Sequence, residues 1–266
     1  MICTLGDLLL DVSVRLDGPI AEDTDTYGRT RVGAGGQAAN VAAWTVELGG
    51  CARFLGKRAR DPAGRILAEE LRGRGVELAG PEVEAGTGAV VSLAMPDGAR
   101  TMLSDRGVST ELAREELDPA WLQGCDWLHL PGYSLVRSPL RETALAAAAL
   151  APQVSVDLSS TAAIEAFGVV AFRETVDALR PQIVFANEAE AGLVGDLEAP
   201  TVVIKRGGRG CVVVTSAGLT ELASRETTVV DTTGAGDAFA AGFLFAGPDL
   251  ALDAAARCVA KMGAMP

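Results

Sequence analysis

The run Asp231-Thr232-Thr233-Gly234-Ala235-Gly236-Asp237-Ala238-Phe239 feeds a glycine turn straight into an apolar segment, Ala238 to Phe245. A helix is expected to open at that turn. Unpaired backbone N–H groups at a helix start attract anions, and the helix dipole adds to the attraction. Small residues let a phosphate come close to that backbone. Asp237 falls in the first turn, beside the anion, where a base must stand to take a proton from an attacking hydroxyl. A bare Gly-x-Gly-Asp would read better as a glycine-rich loop with an aspartate capping a helix, whereas the full nine-residue run is far more specific.

Upstream of this run, apolar strands alternate with amphipathic helices. Strands are expected at 2–5, 51–55, 126–130, 153–158, 182–186 and 201–205, and helices at 62–72, 138–151 and 172–180. Such alternation predicts an α/β fold, a mostly parallel sheet with helices on both faces. Segment 211–215 follows 201–205 across Arg206-Gly207-Gly208-Arg209-Gly210 and reads as its antiparallel hairpin partner. Two segments do not fit the alternation: a strand at 8–16, and a hairpin at 87–104 turning at Pro96-Asp97-Gly98. They are expected to form a small β-sheet lid; residues 17–35 are polar and glycine-rich.

A second glycine turn, Gly33-Ala34-Gly35-Gly36-Gln37-Ala38-Ala39-Asn40, opens a helix that Gly49-Gly50 ends. It matches the loose dinucleotide fingerprint, but polar residues Thr26 to Arg31 precede it where that fingerprint requires an apolar strand. The better reading is a backbone platform for polar substrate hydroxyls, with Asn40 as donor and acceptor. Gly56-Lys57 is not a P-loop, because Cys51 stands where its first glycine belongs and Arg58 where its Ser/Thr belongs. Asn187-Glu188-Ala189-Glu190 follows strand 182–186, and carboxylates at the carboxyl end of a parallel strand lie where α/β proteins bind ligands. Glu190 is placed to orient Mg²⁺ through water, since that ion keeps much of its hydration.

Composition narrows the class. A net charge of −12 with no basic run beyond Lys57-Arg58 and Arg60 argues against nucleic-acid binding. The five cysteines are scattered without a CxxC pair and read as small buried hydrophobes of a reducing compartment. The lone His129 cannot build a metal site without several carboxylates. No basic and then apolar leader opens the sequence, and the Ala-rich stretch at 144–151 is too short to span a bilayer, so a cytoplasmic, soluble protein is expected.

Together these motifs closely resemble the ribokinase-like, or PfkB, carbohydrate kinase family, over nearly the whole chain. Gly33 to Asn40 resembles its first signature, Asp231 to Phe239 its second, Asn187 to Glu190 its NxxE motif, and Lys205 to Gly210 its nucleotide-contacting hairpin. The resemblance implies one Rossmann-like three-layer α/β/α domain over 1–266, with lid segments at about 8–32 and 86–106. It implies an ATP-dependent kinase acting on a hydroxyl of a sugar or nucleoside. Asp237 would be the base, and the N–H groups of Gly234, Ala235 and Gly236 the anion hole. Asp11, Gly35, Gly36 and Asn40 would contact the acceptor, and Asn187, Lys205, Gly207 and Gly210 the nucleotide. Glu190 would meet hydrated Mg²⁺, while Asp231 and Thr233 match a monovalent-cation site, which adds K⁺ to ATP and Mg²⁺. A homodimer through the lid is a further expectation.

Two departures bear on the acceptor. Ribokinases proper carry Asn where this chain has Leu9, and Glu in the stretch that reads Leu130-Pro131-Gly132-Tyr133. A hydroxyl buried without its partner costs about 1–3 kcal/mol, which disfavours ribose and favours a less polar acceptor, such as a nucleoside, or a differently placed sugar acid. The alternatives are a sugar-phosphate kinase, for which Arg15 and Arg106 are the lid cations and read as solvated charges, and a catalytically silent sugar or nucleotide sensor.

Overall fold

In a computed structural model, which describes residues 1–97 and 100–266, the chain begins with β1 (Ile2–Leu5), β2 (Leu9–Leu16) and β3 (Gly28–Gly35), then α1 (Gln37–Glu47). Next come β4 (Ala52–Leu55), β5 (Arg58–Ala59), α2 (Pro62–Gly73), β6 (Glu77–Ala79), β7 (Glu82–Val83), β8 (Thr87–Ala94) and β9 (Arg100–Gly107). The second half runs β10 (Trp127–Pro131), α3 (Leu140–Ala148), β11 (Val154–Asp157), α4 (Thr161–Phe167), α5 (Val169–Leu179), β12 (Ile183–Asn187) and α6 (Glu188–Val194). It closes with β13 (Thr201–Lys205), β14 (Cys211–Thr215), β15 (Gly218–Leu222), α7 (Ala235–Ala246) and α8 (Pro248–Val259).

The main sheet has the order β15-β14-β13-β12-β11-β10-β1-β4-β6, parallel except for β14 and β15. Its central strands are buried on both faces, which is why they read as unbroken apolar runs. Side chains of β12 show the division. Val184 and Ala186 pack with Leu140 and Ala144 of α3, Ile164 of α4 and Phe172 of α5. Ile183 and Phe185 pack with Val41 and Trp44 of α1, Phe239 and Leu244 of α7, and Ala251 of α8. The result is a three-layer α/β/α core, as the alternation of elements predicts.

A separate sheet, β3-β2-β8-β9, contains the two segments that break the alternation. Its hairpin spans the expected residues, while Gly98 of the expected turn lies outside the described residues. Residues 28–35, within the polar, glycine-rich stretch, form a strand not read from the sequence, β3, paired along β2 from Leu9↔Gly35 to Leu16↔Gly28. Most of β3 is exposed, and a solvent-facing edge strand needs no apolar residues, so Arg29, Thr30 and Arg31 gave no strand signal. Cys51 is a correction, being exposed where burial was expected; the other four cysteines are buried, and all five are free. Among the described residues no helix is long and apolar enough to cross a membrane.

Candidate active site

Asp7 just after β1, Tyr133 just after β10, Asp157 at the end of β11, Asn187 at the end of β12 and Lys205 at the end of β13 all open on one cleft of about 1430 Å³. These are carboxyl ends of parallel strands, the edge of an open sheet where ligands bind. The small sheet forms the facing wall through Leu9, Asp11, Val90, Met102, Ser104 and Arg106.

Gly234 precedes α7 with φ +78, and a Cβ there would meet Ala264 at 2.6 Å, so only glycine allows this close passage. The tightness is fixed by Asp231, whose carboxylate accepts N–H and O–H from Thr233 and the N–H of Gly263. Ala235 N–H turns partly back to Thr232 O at 3.4 Å, whereas the N–H groups of Gly234 and Gly236 find no backbone acceptor among the described residues. The α7 N-terminus thus turns Gly234, Ala235 and Gly236 to the cleft, an arrangement suited to an anion.

Asp237 stands in the first turn of α7. Its Oδ2 accepts a hydrogen bond from Asn40 Nδ2 at 2.7 Å. Burial pushes its carboxyl up to about 7; Asn40 and Lys205 pull down, and Asp157 and Asp7 push up. A group poised near neutrality suits a base at physiological pH. Gly36, at φ +99, lets α1 start against Asp7, because a Cβ there would meet Asp7 O at 2.4 Å. Asn40 is 5% exposed and its Oδ1 has no protein partner among the described residues, leaving one acceptor in the cleft.

Beneath the α7 N-terminus lies an ion pair. Lys205 Nζ reaches Asp157 Oδ2 at 2.5 Å, with Asp157 side chain 1% and Lys205 side chain 17% exposed. A Cβ on Gly236 would meet Lys205 Nζ at 3.2 Å, which puts the ammonium under the α7 N-terminus. Burial alone would lower the lysine pKa, but Asp157, Glu190 and Asp237 outweigh it and hold the amine above its ordinary value. Asn187 and Glu190 form a capping box on α6: Asn187 Oδ1 accepts Glu190 N–H at 2.9 Å, and Glu190 Oε2 accepts Asn187 N–H at 2.8 Å. Burial, then Asp157, raise the Glu190 carboxyl above its ordinary value.

Of the residues expected from sequence, Asp11, Gly36, Asn40, Asn187, Glu190, Lys205, Gly207, Gly210, Thr233, Gly234, Ala235, Gly236 and Asp237 line this cleft. Gly35 and Asp231 do not. Gly35 lies against Asp11, 2.8 Å from a would-be Cβ to that side chain, and Asp231 is turned into the loop it ties. Sequence reasoning missed Asp7, Tyr133 and Asp157. Arg106 is a correction: its side chain is 14% exposed, ion-paired to Asp7 and stacked over Tyr133 at 3.6 Å, not solvated. His129 is wholly buried, bonded through Nδ1 to Ser155 at 3.0 Å, and burial pushes its pKa down to about 4.

A model of the pfkB family of carbohydrate kinases matches residues 1–265. An ATP-dependent ribose-1-phosphate kinase of Halopiger xanaduensis is 31% identical over 91% of this chain and 83% of its own length. A 5-dehydro-2-deoxygluconokinase of Listeria monocytogenes is 28% identical over 91% and 82%. The crystal structure of adenosine kinase from Sinorhizobium meliloti superimposes with a TM-score of 0.89 at 25% identity, covering 100% of this chain and 95% of that one. The chain carrying this cleft, with its two glycine turns brought together where Asn40 bonds Asp237 at the α7 N-terminus, belongs to the pfkB family of carbohydrate kinases.

Proposed function

We propose that the protein transfers the γ-phosphoryl group of ATP to a hydroxyl of a sugar or nucleoside, with Asp237 as the base. The observation that carries this reading is the half-buried Asp237 carboxyl, held by Asn40 Nδ2 at 2.7 Å beside an open helix N-terminus. Relatives named as 5-dehydro-2-deoxygluconokinase and adenosine kinase support both acceptor classes, and the one named as ribose-1-phosphate kinase supports the sugar-phosphate alternative.

Phosphoryl transfer requires positioning and charge stabilisation rather than covalent chemistry. Asp237 takes the acceptor proton, Asn40 holds Asp237 and offers Oδ1 to the acceptor, and the amides at Gly234, Ala235 and Gly236 receive the transferring phosphoryl oxygens. Asn187, Gly207 and Gly210 lie along ATP, and Lys205, with one N–H on Asp157, keeps two donors for phosphate. No group of three metal-ligating side chains exists among the described residues. That fits Mg²⁺, which binds through one or two carboxylates plus substrate phosphates, and Glu190 and Asp157 are the carboxylates of this wall. Bound there, the ion would neutralise phosphate charge. The small sheet serves as a lid that excludes water from the transfer. An intact Asp237 and an intact anion loop count against a silent sensor, which does not need a base.

The test is ADP release from Mg-ATP across pentoses, hexoses, sugar acids, sugar phosphates and nucleosides, with Asp237→Asn alongside. Acceptor-dependent release by the wild type alone supports the reading, and release at equal rates by both proteins removes Asp237 as base. Repeating the assay in potassium and tetramethylammonium salts tests the cation site at Asp231 and Thr233, where equal rates would remove K⁺.

The kcat/KM of the wild type should rise with pH through an acid limb near 7, since the base acts only when ionised. Asn40 donates to the ionised form and so lowers that pKa. In Asn40→Ala the limb should therefore move to higher pH. A limb that stays in place while kcat falls would assign Asn40 to the acceptor alone.

Homodimerisation through the lid is part of the same proposal. Val32, Val12, Val91 and Leu103 form one cross-strand row over all four strands of the small sheet. Val32 is 59% and Leu103 56% exposed. This apolar row faces away from the cleft, and a second copy would cover it. Sedimentation at micromolar concentration should show a dimer; a monomer alone would remove the proposal.

A further inference from the structure

We infer that Gln37 is a further catalytic residue, its carboxamide donating to the transferring phosphoryl group from the side opposite the α7 amides, and that Ser159 holds it there. The inference rests on the kinase reading and adds a residue to it.

Gln37 opens α1 one helical turn before Asn40, so the two side chains share a face, and both line the cleft. Its Oε1 accepts the Ser159 hydroxyl at 2.6 Å. That length belongs to an O–H···O bond and is short for an N–H donor, which fixes the carboxamide with its oxygen on Ser159. Ser159 Oγ in turn accepts the N–H of Gly132 at 2.8 Å, and its other acceptor, Asp157 O, stands farther off at 3.1 Å. Gln37 Nε2 has no protein partner among the described residues, so two N–H donors remain for a ligand.

Ser159 has φ +70, in the left-handed region that a residue with a Cβ seldom occupies. Ser160 N–H bonds Leu158 O across it at 2.8 Å, which makes Ser159 the centre of a strained three-residue turn. Glycine would take this conformation freely but would lack the hydroxyl. Strain kept at a ligand-facing position points to a use for the side chain. Here the hydroxyl joins the loops after β10 and β11 to α1, and the group it orients is the Gln37 amide.

The same loop reaches the phosphate side of the cleft. Ser159 N–H donates to Asp157 Oδ1 at 3.0 Å, and Asp157 Oδ2 holds Lys205, whose Nζ lies under Gly236. Gly236 leads into Asp237, and Asp237 Oδ2 accepts from Asn40. The contacts thus run in a closed circuit, from Gln37 through Ser159, Asp157 and Lys205 to Asp237, and back through Asn40, all on the cleft. The circuit surrounds the place where a phosphoryl group would pass from the nucleotide to a hydroxyl at Asp237. Its order puts Gln37 across from the α7 amides. A carboxamide nitrogen only donates. A phosphoryl oxygen has no proton to give and so suits Nε2, whereas a hydroxyl also needs an acceptor such as Asn40 Oδ1.

In the transfer the acceptor oxygen bonds to the γ-phosphorus while the bond from that phosphorus to the bridging oxygen of ADP breaks. ADP leaves with the electron pair, and the acceptor proton passes to Asp237. Charge on the phosphoryl oxygens is met on one side by the α7 amides and Lys205, and on the other by Gln37. Donors preset in this way act most strongly on the transition state.

The test uses the full chain with Mg-ATP and the acceptor that releases most ADP, for the wild type, Gln37→Ala, the isosteric Gln37→Glu and Ser159→Gly. Gln37→Ala should lower kcat by about 10²-fold, the usual effect of deleting one such donor, and leave the KM for ATP and for the acceptor within about twofold. Gln37→Glu keeps the shape without the donor and should be at least as slow; it decides the matter if Gln37→Ala fails to fold. Ser159→Gly relieves the turn but frees the amide, and should lower kcat by about tenfold. Added to Gln37→Ala it should lower kcat no further, because it acts through Gln37. Calorimetry of MgADP, alone and with aluminium fluoride and the acceptor, is the second readout: Gln37→Ala should weaken only the fluoride complex. A wild-type kcat in Gln37→Ala would overturn the inference, as would a loss confined to the acceptor KM or a fluoride complex of unchanged affinity. Full additivity of Ser159→Gly and Gln37→Ala would overturn the role of Ser159. Absence of acceptor-dependent ADP release from the wild type would overturn the kinase reading and this inference with it.

Discussion

Asp237→Asn should fold, bind ATP and turn over about 10²–10⁴-fold more slowly than the wild type, the usual contribution of a positioned base. Asparagine keeps the shape of the side chain and an oxygen that accepts from Asn40, so the wall between α1 and α7 is preserved. It cannot take a proton from the acceptor. Stability separates this loss from simple unfolding, and its sign follows from the raised pKa. The folded carboxyl titrates near 7 and the unfolded one near its ordinary 3.8. The folded state therefore holds a proton the unfolded chain lacks between those values, and the associated stability disappears as pH rises through 7. The neutral amide of the variant carries no such penalty. At pH 8 the variant should be at least as stable as the wild type to urea, while its turnover is lost. A variant that is both slow and unfolded would leave the role of Asp237 as base unsupported.

The second large effect is expected at Lys205. In Lys205→Met the Asp157 carboxylate, 1% exposed, loses the ammonium that compensates it. Breaking a buried pair from one side typically removes about 3–5 kcal/mol, because a charge is left without a partner in a poor solvent for it. The urea midpoint should fall accordingly at neutral pH, and ATP affinity should fall with it through the lost phosphate donors. Adding Asp157→Asn removes the stranded charge and should restore most of the stability but none of the ATP affinity. That divergence separates a structural from a phosphate-binding role. An unchanged midpoint in the single variant would show that Asp157 does not depend on Lys205.

How legible this site was depended on whether its chemistry is local in sequence. The glycine loop, the proposed base and the NxxE cap are each built within a few consecutive residues, so Asp231 to Phe239 and Asn187 to Glu190 could be read directly. The core strands were legible for a related reason, since burial on both faces writes itself as an apolar run. Asp157 was not legible: it ends an ordinary strand, Val154–Asp157, and acquires meaning only when β13 brings Lys205 beside it from 48 residues away. Arg106 misled because an arginine on a lid strand is usually solvated. Only the packing of β9 over the ends of β1 and β10 reveals Asp7 and Tyr133 as its partners. β3 was lost because exposure on an edge removes the very hydrophobicity by which strands are recognised.

The most direct test of Asp237-based phosphoryl transfer is phosphorus NMR of Mg-ATP turnover with an acceptor, run on the wild type and on Asp237→Asn. A phosphomonoester resonance should grow one-for-one with ADP in the wild type and be absent from the variant. Inorganic phosphate in place of the ester, or the ester formed by the variant at the wild-type rate, would contradict it.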